Sequence, residues 1–175
     1  MKFMKEKIIA DENAKVDIFS NIFSSCFFVG HIPKASGTFG SIFGMLFFLI
    51  DGFQKTEILL PAIILCFAAG IYTAGVMIKR YGDDPSVVVI DEVVGMWITV
   101  LVFLILSKGE YGIYTLILLF FAFRFFDIAK IQPAGLFDKM KSPFGVMMDD
   151  VVAGIYAGGA SFLLVYLLSV IITHI

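Results

Sequence analysis

Acidic residues stand where apolar runs begin or end: Asp83 with Asp84, Asp91 with Glu92, Asp127, and Asp149 with Asp150. A carboxylate at the mouth of a membrane helix is costly. It normally faces a polar interior, paired with a cation or a metal. A buried carboxylate without such a partner protonates. Hard oxygen donors from several helices suit Mg²⁺, which keeps waters and accepts phosphate oxygens.

Simpler explanations compete at each position. Asp84 before Pro85 fits a helix cap followed by a first-turn proline. That start would also put Asp84 and Asp91 on one helix face. Arg124 and Asp127 are three apart and can pair locally, with Lys130 three further on. Arg124 or Lys130 could also neutralise Asp91 or Glu92. Asp149 and Asp150 open the last apolar run, where a helix dipole favours negative charge. Capping accounts for one of these two but not readily for both. Asp150, Gly154 and Gly158 form one helical stripe, which small residues make suitable for close packing.

The complementary charge lies in "HIPKASGTFGS", residues 31–41. Lys34 can meet phosphate. Ser36, Gly37, Thr38 and Gly40 can present hydroxyls and backbone N–H groups at a helix start, a favoured anion site. No Lys follows Gly37, so this is not a Walker A loop. His31 could be an acid or base, although a lone interfacial His is more often structural. Carboxylates able to hold Mg²⁺ beside a Lys/Ser/Thr loop and Arg124 suggest hydrolysis or transfer at a phospholipid headgroup.

The elements that must position these groups are apolar. The chain has 175 residues, 59% of them hydrophobic, and a mean hydropathy of +0.95. This is more apolar surface than a soluble domain of that length needs. The expected fold is all-α: an integral membrane bundle of about five hydrophobic helices. The expected spans are Ser41–Ile50, Ile58–Ile78, Val87–Leu106, Ile113–Phe126 and Val151–Thr173. The first is short against the ~20 residues a crossing requires. Residues 16–29 have apolar spacing that fits an amphipathic interfacial helix. The expected division is therefore a polar and interfacial segment over residues 1–29, then a membrane-embedded catalytic domain over 30–175. No cleavable signal pattern is visible, so the protein itself is expected to be the anchor.

Lys2, Lys5, Lys7, Lys15 and Lys34 precede the first span. Lys79, Arg80, Arg124, Lys130, Lys139 and Lys141 fall on the same side, leaving Lys55 and Lys108 opposite. The positive-inside rule makes the rich side cytoplasmic. Every unusual polar segment then converges on that face. The near-neutral balance and lack of a basic face argue against nucleic acid. Cys26 and Cys66 lack metal or disulfide-framework spacing and read as small buried residues.

Three segments, "GHIPKASGTFGS", "YGDDPSVVVIDEVVGMWI" and "FRFFDIAKIQPAGLFDKMKSPFGVMMDDVVAGIYA", together resemble the phosphatidylglycerophosphatase A family. They occur in the family's order and cover most of residues 30–157. Where the family often has a KPWP-like run, this chain reads "KIQP". The resemblance implies Mg²⁺-dependent removal of the terminal phosphate of phosphatidylglycerophosphate at the bacterial inner membrane. It implies metal ligation by Asp84, Asp91, Glu92, Asp127, Asp149 and Asp150. Asp91, Glu92, Asp127 and Asp150 would be catalytic, and Lys34, Thr38 and Arg124 would meet phosphate, with Ser36 and Lys130 added as phosphate-binding candidates by their own chemistry. The nucleophile is open between a metal-activated water, which is favoured, and an Asp.

Other phosphatase chemistries fit poorly. Neither cysteine is followed at the spacing a cysteine phosphatase requires by Arg, and no Asp-x-Asp motif appears near a strand. A histidine mechanism needs two functional His, and His174 is at the far C-terminus. A small ion or metal transporter is the non-enzyme alternative, but its acids should sit near the midplane. Here they sit in first turns at one face.

Overall fold

The structure, a computed structural model, describes residues 9–83, 85–109 and 111–173. Among these residues the regular elements are all helical. They are α1 (Ile18–Ser24), α2 (Ser36–Leu46), α3 (Thr56–Tyr81), α4 (Ile90–Leu106), α5 (Ile113–Ala129), α6 (Ala134–Asp138) and α7 (Pro143–Thr173). Short 3₁₀ turns cover Val29–His31 and Phe47–Leu49.

The central element is α4. It packs against α2, α3, α5 and α7, and Val93, Val94, Met96 and Val100 are buried along it. A helix apolar on every face belongs in a core. Its contact with α7 is close because small residues meet there. An ideal Cβ on Gly154 would lie 2.5 Å from the Gly95 carbonyl oxygen, and one on Gly158 2.6 Å from that of Thr99. The expected Asp150–Gly154–Gly158 stripe therefore faces α4.

Among the described residues, two helices are long and apolar enough to cross a membrane: α3, with 26 residues, and α7, with 31. At 1.5 Å per residue these run roughly 39 and 46 Å, against about 30 Å of hydrocarbon. Helices α4 and α5 have 17 residues each, roughly 25 Å. The expected first span is α2 continued by a 3₁₀ turn to Leu49.

Three local expectations are corrected. First, Pro85 does not start a helix. Residues 85–89 are irregular, and α4 begins at Ile90 after an extended-φ Val89. The helix start at Pro85 that the shared face of Asp84 and Asp91 required does not form, and Asp84 itself lies outside the described residues. Second, Asp149 and Asp150 do not open the last helix, because α7 begins at Pro143 and carries them two turns inward. Third, the helix expected over residues 16–29 covers only the seven residues Ile18–Ser24. Its Ser20 and Ser24 are buried, whereas Ile18 and Phe19 are exposed. Asp17 caps it, accepting from the Ser20 N–H at 2.8 Å and the Ser20 hydroxyl at 2.6 Å. These bonds, the hydroxyl's first, hold the Asp17 carboxyl below its ordinary range.

Candidate active site

Four helix ends meet at one end of the bundle: the N-termini of α2 and α4, the C-terminus of α5 and the first turns of α7. Alternating chain direction does this. Neighbouring helices that reverse direction place the start of one beside the end of the next.

Asp91 and Glu92 occupy the first turn of α4, and α7 supplies Asp150. Ligand atoms of these three carboxylates lie within 4.8 Å of one another. Asp91 and Asp150 are buried, Asp150 to 3% exposure. Asp127, also buried, adjoins Asp150 closely enough to hydrogen bond with it. Like charges this close require a compensating cation or shared protons.

The cations are close but already directed elsewhere. Arg124 Nη1 contacts Asp127 Oδ2 at 2.6 Å. Lys130, the left-handed C-cap of α5, contacts Asp149, Asp127 at 3.6 Å and Asp138 at 3.4 Å. Among the described residues these ion pairs do not include Asp91 or Glu92, so the simple salt bridge considered for those two is not formed. Burial opposes the charge on Lys130, but Asp149, Asp150 and Asp127 outweigh it and raise its proton affinity above that of an ordinary lysine.

The start of α2 completes the site. An ideal Cβ on Gly37 would lie 2.3 Å from Glu92 Oε1 and 3.3 Å from Arg124 Nη1. Only a residue without a side chain lets the backbone come so close. Arg124 Nη1 also donates to the Ser41 hydroxyl at 3.3 Å, and Ser41 donates to the Gly37 carbonyl at 2.8 Å. No side chain caps the α2 N-terminus, where Ala35 is left-handed with φ 57°. Its first N–H groups remain available to an anion.

Two buried polar atoms here have no hydrogen-bond partner, Glu92 Oε2 and Arg124 Nε. Unsatisfied buried groups are rare and costly, and both belong to side chains that meet at Gly37. The donor set also fits a hard divalent cation: three converging carboxylates, one with an unused oxygen.

The structure thus joins Asp91, Glu92, Asp127, Asp149 and Asp150 with Arg124 and Lys130. It joins Ser36 and Thr38 through the half-buried first turn of α2. Lys34 is exposed at the entry to that helix. His31 stands apart, with Nε2 2.8 Å from Asn21 Oδ1. Sequence reasoning missed the contact roles of Ser41 and Asp138. It named Gly37 without its closeness to Glu92. Gly37, Gly40 and Gly44 recur at helical spacing, and that small-residue stripe was the available signal.

The match to known proteins follows the same segments. The family model described as "Phosphatidylglycerophosphatase A" matches residues 22–165. The chain belongs to the phosphatidylglycerophosphatase A family. It is a phosphatase. A Haemophilus influenzae protein named "Phosphatidylglycerophosphatase A" is 39% identical over 73% of this chain and 77% of its own length. An Escherichia coli protein of the same name is 27% identical over 89% and 88%. A Bacteroides thetaiotaomicron protein named "Putative phosphatidylinositol-3-phosphatase" is 35% identical over 73% and 82%. No solved structure matches this phosphatase.

Proposed function

We propose that the protein hydrolyses the terminal phosphate monoester of phosphatidylglycerophosphate, giving phosphatidylglycerol and inorganic phosphate, in a Mg²⁺-dependent reaction at the cytoplasmic face of the bacterial inner membrane. The observation that carries this reading is the convergence of Asp91, Glu92 and Asp150 beside Arg124 and the Gly37 backbone. Such a site is acidic where a cation would sit and has unpaired donors where phosphate would sit.

Asp91, Glu92 and Asp150 would hold the metal, with Asp127 and Asp149 adjoining. Bound there, Mg²⁺ would offset the clustered carboxylates and the phosphate charge and acidify a water. The α2 N–H groups, Ser36, Thr38 and Arg124 Nε receive phosphate oxygens, and exposed Lys34 meets the headgroup at the entrance. Glu92 Oε2 takes the proton of the attacking water. The water oxygen bonds to phosphorus, the bond to the glycerol oxygen breaks, and that oxygen takes up the proton held by Glu92, leaving the carboxylate free for the next cycle. Asp127 and Lys130 orient Arg124 and Asp149.

A membrane setting is supported by the outer surface. Leu65 on α3, Phe121 and Ile128 on α5, and Ile172 on α7 are each at least 65% exposed. Large apolar side chains in that number face lipid rather than water. In this reading α2, α3, α4, α5 and α7 form the five-helix membrane bundle. Clustering of the acids at one end rather than mid-helix disfavours an ion transporter.

The test is phosphate release by purified protein in detergent, with phosphatidylglycerophosphate and with phosphatidylinositol 3-phosphate, each with Mg²⁺ and with EDTA. Mg²⁺-dependent release, faster from phosphatidylglycerophosphate, is expected. Folded protein that releases nothing in Mg²⁺ sinks the reading. Equal release in EDTA sinks the metal assignment, and preference for the inositol lipid sinks the substrate.

A further inference from the structure

A cavity of about 340 Å³ opens among α1, α2, α3 and α4, with walls of apolar side chains. Ile90, Val93 and Trp97 form its α4 wall. They fall on one stripe of that helix, and Asp91 and Glu92 lie off it. The cavity and the acidic cluster therefore share the first turn of α4 but use different faces.

The outer wall is built at a conformational cost. Cys26, Phe27 and Phe28 have φ of 47°, 56° and 69°. Three consecutive left-handed residues bearing Cβ atoms are unfavourable and persist only where surrounding bonds impose them. The Ser25 hydroxyl donates to the Asn21 carbonyl at 2.6 Å and accepts from the Phe28 N–H at 3.0 Å. The Gly30 N–H donates to the Ser25 carbonyl at 2.9 Å, and the Val89 N–H donates to the Ser24 carbonyl at 2.8 Å. A Cβ on Gly30 would lie 2.0 Å from the Val87 carbonyl oxygen. The strained turn is thus seated on the segment that leads directly into Asp91 and Glu92. It holds Phe27 against the cavity although that ring is 74% exposed.

We propose that this cavity binds one acyl chain of the lipid substrate while its headgroup occupies the acidic cluster. The proposal rests on the lipid phosphatase reading above. Continuity through α4 and the strained turn favours a chain of the substrate over an unrelated lipid or a second copy of the protein. The walls offer burial of methylenes and no polar recognition, so the cavity reads chain length and leaves the headgroup to the acidic site.

Trp97 lines the cavity and is the single tryptophan of the sequence, so its fluorescence reports occupancy. Purified wild-type protein in detergent is titrated with phosphatidylglycerol brominated in its acyl chains, and separately with equally brominated phosphatidylcholine. Saturable quenching by the first at concentrations where the second does not quench is expected. Equal quenching by both, or none, overturns the proposal.

Cys66→Phe, which fills the cavity from α3, should weaken the quenching. It should also raise the KM ratio of dioleoyl to dihexanoyl substrate about tenfold, equivalent to losing burial of roughly two methylenes. A ratio left unchanged by a folded variant overturns the substrate-chain assignment. A merely structural defect would move both KM values together. Dihexanoyl hydrolysis by the wild type, measured on the same preparation, reports the phosphatase reading independently of the cavity.

Discussion

Asp91 and Asp150 are buried beside Glu92 with carboxylate atoms within 4.8 Å, and in the proposed reaction their value lies in the cation they would hold together. Asp91→Asn and Asp150→Asn each keep the shape and remove one charge. Each should lower kcat/KM roughly a hundredfold or more and raise the Mg²⁺ concentration for half-maximal rate. Full activity in either variant would remove that residue from the site. Lys130 makes a different prediction. Its folded-state proton affinity is raised, so the stability it adds is complete below the ordinary lysine pKa. That stability disappears as pH rises through the higher folded value. The unfolding free-energy difference between wild type and Lys130→Met should thus stay constant from about pH 6 to about pH 9 and shrink in strong alkali. A difference that shrinks within that range would contradict the assigned network.

Helix contacts separate packing from chemistry through their glycines. At Gly154 an added methyl meets the Gly95 backbone oxygen at 2.5 Å, which cannot swing aside. At Gly37 it meets the Glu92 carboxylate, the mobile end of a side chain. At Gly159 it meets nothing within 4 Å. Gly154→Ala should cost about 1–3 kcal/mol of stability through overpacking. Gly37→Ala should lose activity well beyond any loss of stability, by displacing Glu92. Gly159→Ala should be neutral or stabilising by up to about 1 kcal/mol. Denaturant titration beside phosphatase assays checks all three. Equal behaviour of Gly37→Ala and Gly159→Ala would refute the close approach of α2 to the acidic cluster.

For the whole molecule, the charge topology makes the prediction. Lys34 belongs to the site end, and Lys108 lies in the α4–α5 connection at the far end. With Cys26 and Cys66 replaced by Ser, Lys34→Cys should react with a membrane-impermeant maleimide in inside-out vesicles. Lys108→Cys should react in right-side-out ones. Labelling of both from one side would break the proposed five-span arrangement. A second link at the site end is Lys141, which donates to Asp83 at 2.9 Å and ties the α6–α7 connection to the segment after α3.

The sequence alone determined the helical class, the acidic and basic residues available for chemistry, and the family. These are properties of composition, periodicity and motif order, and they survive errors of a few residues in any helix boundary. It misplaced the starts of α4 and α7. Pro85 is a strong local start signal, but the 85–89 segment is instead held to Ser24 and Gly30. A linear pattern cannot show that tertiary contact. The tertiary structure alone decided which charges meet: Arg124 with Asp127, Lys130 with Asp149, and Asp91 and Glu92 with Asp150 across two helices. Local spacing could propose the first pair. The others depend on how closely α2, α4, α5 and α7 approach, and that distance is set by where glycine leaves room for a neighbouring backbone or carboxylate.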